Sequence, residues 1–72
     1  MNKARRAKIT AVLRQIEDTL QRILDEEQDA YDNIPDSLRE TDRAIESEEA
    51  QENLDAAIES LEDAIMYLEE IV

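Results

Sequence analysis

An antiparallel pair of helices is the architecture that this 72-residue sequence predicts, and three observations predict it. Two long stretches repeat their aliphatic residues at alternating steps of three and four, the spacing of one helical face. A single proline, Pro35, separates the stretches. Five basic residues and no acid occupy positions 1–16, while all twenty acids lie beyond them, so a chain that folds back brings opposite charges together.

The first stretch carries Ile9, Leu13, Ile16, Leu20 and Ile23 as the seam of a heptad helix, continued through Glu27 to Ala30 and Ile34. Val12, Leu24 and Tyr31 lie on its flanks and widen the apolar stripe. A helix is expected over about residues 3–30. The second stretch carries Leu54, Ile58, Leu61, Ile65, Leu68 and Val72, extended backwards through Gln51, Ser47 and Ala44. Ala50, Ala57, Ala64 and Ile71 form a small apolar row beside that seam. Glu48, Asp55, Glu62 and Glu69 form the matching acidic row on its other flank. A second helix is expected over about residues 42–71.

Residues 31–41 form the hinge between the two. Pro35 pushes Ile34 out of the helical region. Thr41 is the candidate N-cap of the second helix, with Asp42 in the first turn where the helix dipole favours an acid. Pairing Ile23 with Leu54 aligns Leu20 with Ile58, Ile16 with Leu61, Leu13 with Ile65 and Ile9 with Leu68. The same register sets the basic start against Glu62, Asp63, Glu69 and Glu70, and Glu27 opposite Gln51 as a polar layer that fixes alignment. The whole chain is then one hairpin domain of coiled-coil type. Its combined apolar stripe is broader than one partner helix covers, so a homodimeric four-helix bundle or a hetero-complex is expected.

Composition narrows the function. Histidine, cysteine and glycine are all absent, which removes the commonest general base and metal ligand, thiolate chemistry and phosphate-cradling loops. With two tyrosines and no Phe or Trp there is no platform for stacking bases. An enzyme is not expected, nor a cofactor. The segment Asp25-Glu26-Glu27-Gln28-Asp29 attracts cations but lacks the alternating ligands and central Gly of an EF-hand loop, so no dedicated metal site is expected. A net charge of −12 opposes direct binding to nucleic acid or to anionic membranes and favours a basic protein partner. Neither a signal peptide nor a membrane span is read from the sequence, because Ile9 to Leu24 is broken by charged residues, and a cytosolic protein is expected. Such charge also suggests disorder, but 42% apolar residues in strict helical period argue for a folded chain.

The candidate contact surface follows. Glu48, Asp55, Glu62 and Glu69, with Glu52, Glu59 and Asp63 further round the second helix, make an acidic face. Carboxylates spaced along a rigid helix either keep a small protein soluble or imitate nucleic-acid phosphates and occupy a basic groove. Met66 and Tyr67, adjacent on the outer side of the same helix, are the candidate apolar contact residues. Two readings stand side by side: an interaction module that docks on a basic surface, and a self-associating adaptor whose homodimer is the functional unit.

Met1-Asn2-Lys3-Ala4-Arg5-Arg6, the run Asp25-Glu26-Glu27-Gln28, the hinge Tyr31-Asp32-Asn33-Ile34-Pro35-Asp36-Ser37-Leu38 and the acidic seam from Leu54 to Leu68 together resemble a group of short, acidic, uncharacterised helical proteins. These are encoded by phages and prophages of Gram-positive gut bacteria. The hinge is the most specific part of the resemblance. The chain departs from the group just after it, where Arg39-Glu40-Thr41-Asp42 stands in place of an expected Gly-Ser pair. What the resemblance implies is a phage-type accessory protein in the host cytoplasm, of a kind that inhibits or redirects a host protein, with DNA mimicry as its most concrete form. It carries over no functional residue.

Overall fold

The computed structural model describes residues 1–71, so the expected seam position Val72 lies outside the described residues. Two helices, α1 (Lys3–Asp32) and α2 (Asp42–Glu69), pack antiparallel and are joined by a single 3-10 turn at Asp36–Leu38. No strand occurs among the described residues.

Each end of the hairpin is closed by side chains that the sequence supplies locally. Asn2 caps α1, its Oδ1 accepting from the Arg5 N–H at 2.8 Å. Thr41 caps α2, its Oγ1 accepting from the Ala44 N–H at 3.4 Å while donating to the Leu38 carbonyl at 2.7 Å. At its far end α1 continues through Asp32, two residues beyond the expected end. The proline restriction falls on Ile34, the residue before Pro35, and leaves residues 31 and 32 free to stay helical.

A helix usually ends on a glycine in the left-handed conformation, and this chain has no glycine. Arg39 does that work instead. Its Nε donates to the Ile34 carbonyl at 3.0 Å and its Nη2 to the Asp32 carbonyl at 3.4 Å. The same guanidinium lies 4.5 Å from the centre of the Tyr31 ring, in cation–π geometry. The Tyr31 hydroxyl in turn donates to the Glu48 carboxylate on α2. Backbone N–H groups of Asn33 and Ile34 donate to the Asp29 and Tyr31 carbonyls, and Arg39 takes those of Asp32 and Ile34 and links the turn, through Tyr31, to the second helix.

The packed seam of α2 is the expected one. Ile58 and Ile65 are buried, Ala44 and Ser47 join them near the hinge, and Leu54, Leu61 and Leu68 are half-buried between. The seam of α1 is not the expected one. Leu13 and Leu20 do face α2, with Glu27 and Ile34 as expected, but their other companions are Arg6, Thr10, Glu17, Leu24 and Tyr31, and Ala30 is exposed. Leu24, expected on a flank, is 3% exposed, whereas Ile9, Ile16 and Ile23 are 38%, 43% and 45% exposed, with Val12 at 56%. Helix α1 is therefore turned about its axis, and the expected pairs Ile9–Leu68, Ile16–Leu61 and Ile23–Leu54 are replaced. At those levels Thr10, Glu17 and Leu24 stand towards α2. The register itself is close to the expected one, since Tyr31 reaches Glu48 and Arg6 reaches the Ile71 carbonyl.

Two helices alone make an elongated body, 55 × 15 × 12 Å. Its radius of gyration is 16.5 Å, against about 11 Å for a compact domain of this length.

Candidate interaction surfaces

The seam divides the hairpin into two long faces of opposite chemistry. One is marked by the ion pair Arg14–Glu69, 2.5 Å between Nη2 and Oε1. Arg14, Glu17, Glu62, Ile65, Met66 and Glu69 line a shallow cleft there. Because residues seven apart recur on one helical face, Glu48 and Asp55 continue the line of Glu62 and Glu69 towards the hinge. This is the acid face.

Every candidate contact residue on α2 is exposed: Glu48, Glu52, Asp55, Glu59, Glu62, Asp63 and Glu69, with Met66 at 57% and Tyr67 at 72% exposure. Two members of the acidic row are engaged within the hairpin, Glu48 by Tyr31 and Glu69 by Arg14. Asp55 and Glu62, between them, form no ion pair among the described residues. Met66 lies beside Glu62 and Glu69 in the cleft. Tyr67, one residue or 100° further on, stands away from that cleft on the back of α2. The two candidate apolar contacts therefore do not share a face.

Charge density along α2 is unusual. Ten of its 28 residues are Asp or Glu and one, Arg43, is basic. At 1.5 Å rise per residue that is about one carboxylate per 4 Å of axis counted round the whole helix, while the row Glu48, Asp55, Glu62 and Glu69 repeats about every 10 Å. Acids alone do not build a metal centre, and among the described residues no group of three or more potential ligands converges on a point.

The basic start of α1 is paired with α2 less completely than expected. Arg14 meets Glu69, and Arg6 donates to the Ile71 backbone carbonyl. Lys3, Arg5 and Lys8 form no ion pair with Glu62, Asp63, Glu69 or Glu70 among the described residues. The turn of α1 takes Arg5 and Lys8 away from the seam, while Lys3 lines a shallow cleft with Arg14 and Glu69 without an ion pair.

Passing round each helix the other way from the seam leads to the second face. On α1 it carries Ile9, Val12, Ile16 and Ile23, and on α2 the row Ala50, Ala57 and Ala64 with Ile71. Lys8, Ile9, Val12 and Leu13 line an apolar depression on it. Sequence reasoning found these side chains but placed the isoleucines in the seam. The signal for this second stripe was the 3-4 step from Ile9 to Val12 to Ile16, which runs parallel to the seam. Arg39 was also missed as a structural residue; the signal was a basic residue just past a proline hinge in a chain without glycine.

No helix among the described residues is long and apolar enough to cross a membrane. No protein-family model, curated protein or solved structure matches the chain.

Proposed function

We propose that this protein is a small protein–protein interaction module whose acid face docks on a basic surface of another protein, of the kind that binds nucleic acid. The observation that carries the reading is the row of exposed carboxylates on one side of α2, Glu48, Glu52, Asp55, Glu59, Glu62 and Glu69, on a helix with a single basic residue, Arg43. Asp55, Glu62 and the outer acids Glu59 and Asp63 supply charge, and Met66 supplies an apolar anchor among them. A basic groove that closes over this line loses no compensation when it gives up phosphates. The resemblance to phage-encoded acidic proteins supports the same reading: a cytoplasmic accessory protein that blocks or redirects a host protein, without catalysis or a cofactor.

Capture from a bacterial lysate on the immobilised protein tests this. Basic nucleic-acid-binding proteins should be retained, should elute over a few hundred millimolar salt as screening shortens, and should be displaced by added duplex DNA. Neutralising Asp55, Glu59, Glu62 and Asp63 to their amides should abolish retention while leaving the helical signal intact. Retention of proteins that are not basic, or that hold on in 1 M salt and ignore DNA, overturns the proposal.

A further inference from the structure

The aliphatic face has no role in the acid-face reading, and it carries an inference of its own. We infer that it is covered by a second copy of this chain, packed antiparallel with its two-fold axis near Ile16, so that two hairpins form a four-helix bundle.

Exposure is the first reason. Ile9, Val12, Ile16 and Ile23 are all between 38% and 56% exposed and span about 21 Å of one helix face. All four are β-branched, which weakens a helix slightly and is compensated where the side chain packs. Ala50, Ala57 and Ala64, beside them on α2, leave room for close approach of another helix.

Area is the second. The chain exposes 5590 Å², whereas a compact monomer of its mass exposes about 4,600 Å². The excess, roughly 1,000 Å², matches the approximately 800 Å² that each partner loses in a standard interface.

Charge selects the occupant and its direction. Arg5 and Lys8 lie one turn before Ile9 and Val12, and Glu26 lies one turn after Ile23, so the aliphatic stripe is basic at one end and acidic at the other. Under a two-fold axis at Ile16, Ile9 meets Ile23 of the second copy. Arg5 and Lys8 then run alongside Glu26 and Glu27 of that copy, and the reverse. Arg5 and Lys8, free of intrachain ion pairs among the described residues, acquire partners. A parallel arrangement would stack the basic segments on each other. A bipolar stripe of this kind is self-complementary, which is what an isologous interface requires. The acid faces stay outermost on both sides of the bundle, so this inference and the acid-face reading stand or fall separately.

Sedimentation equilibrium of the intact protein tests it. At about 100 µM the expected mass is twice the 8.3 kDa of one chain. Ile16→Glu places two carboxylates face to face on the axis and should raise the dissociation constant at least about a hundred-fold. That site is exposed in the single hairpin, so helical signal should persist at high concentration. Direction is tested by charge reversal on exposed residues. One variant carries Arg5→Glu and Lys8→Glu, the other Glu26→Lys. Each should dimerise poorly alone, and an equimolar mixture should restore a heterodimer. A single-chain mass in the wild type at millimolar concentration, a dimer indifferent to Ile16→Glu, or a mixture no tighter than its components overturns the inference.

Discussion

The two helices of the hairpin solve the same problem with different amounts of apolar material. Helix α2 has a narrow stripe, bounded by alanines on one side and carboxylates on the other, and only one rotation buries Ile58 and Ile65. Helix α1 has Ile9, Val12, Leu13, Ile16, Leu20, Ile23 and Leu24 spread over a wider arc. One partner helix covers part of that arc and leaves the rest outside. The rotation adopted buries Leu24, keeps Leu13 and Leu20 at the seam, and brings Tyr31 within reach of Glu48. A seam that takes in Glu17 and Thr10 while leaving out Ile9, Ile16 and Ile23 shows that the apolar count alone does not set the rotation of α1 in a single hairpin.

Neighbouring residues on α1 offer the sharpest way to break this contrast. Leu24→Ala removes a side chain at 3% exposure and should destabilise the hairpin by about 2–4 kcal/mol, as should Ile65→Ala on α2. Ile23→Ala, one position away, should change the stability of the isolated hairpin by no more than about 0.5 kcal/mol. Urea unfolding at dilution sufficient to keep chains single measures all three. Equal losses at Leu24 and Ile23 would return α1 to the rotation that its spacing predicts.

The hinge gives effects of middle size. Thr41→Ala removes the N-cap of α2 and should cost about 1 kcal/mol. Arg39→Ala should cost a similar amount, about 1–2 kcal/mol, because it leaves the carbonyls of Asp32 and Ile34 without their donors and removes the cation over Tyr31. Arg39→Lys should recover only part of that, since an ammonium group does not reproduce the planar fork. Thermal unfolding followed by circular dichroism checks both. At the other end, Arg14→Gln should shift stability by less than about 0.5 kcal/mol, because both members of the Arg14–Glu69 pair are more than half exposed.

Much of this architecture is legible in the sequence, and the limits have physical causes. The two helices, the turn at Pro35, the cap at Thr41 and the seam of α2 follow from periodicity and local backbone rules, which act over a few residues. The rotation of α1 does not, because its two overlapping stripes satisfy the same 3-4 spacing. Of the candidate site, the exposure of the acidic row was readable from its place opposite the alanines. The separation of Met66 from Tyr67 was readable only as an angle between adjacent positions. The openness of the aliphatic face was not readable, since it depends on which stripe α1 spends on α2.

The smallest expected effect reports on the contact between the hinge end of α1 and α2. The Tyr31 hydroxyl titrates above its ordinary value of 10.0, chiefly because it donates to the Glu48 carboxylate, with Arg39 acting in the opposite sense. A phenolate there would lose the hydrogen bond and stand beside a like charge. Because the folded state holds this proton more tightly than the unfolded chain, the contribution is complete below about pH 10. It fades as pH rises through the raised folded value, and the hinge loosens in alkali. In a Tyr67→Phe background the ultraviolet titration reads Tyr31 alone. Its midpoint should lie above that of free tyrosine and fall towards it when Glu48 is replaced by Ala. A Tyr31 turned out to solvent would titrate like free tyrosine, and the Glu48→Ala substitution would then leave the midpoint where it was.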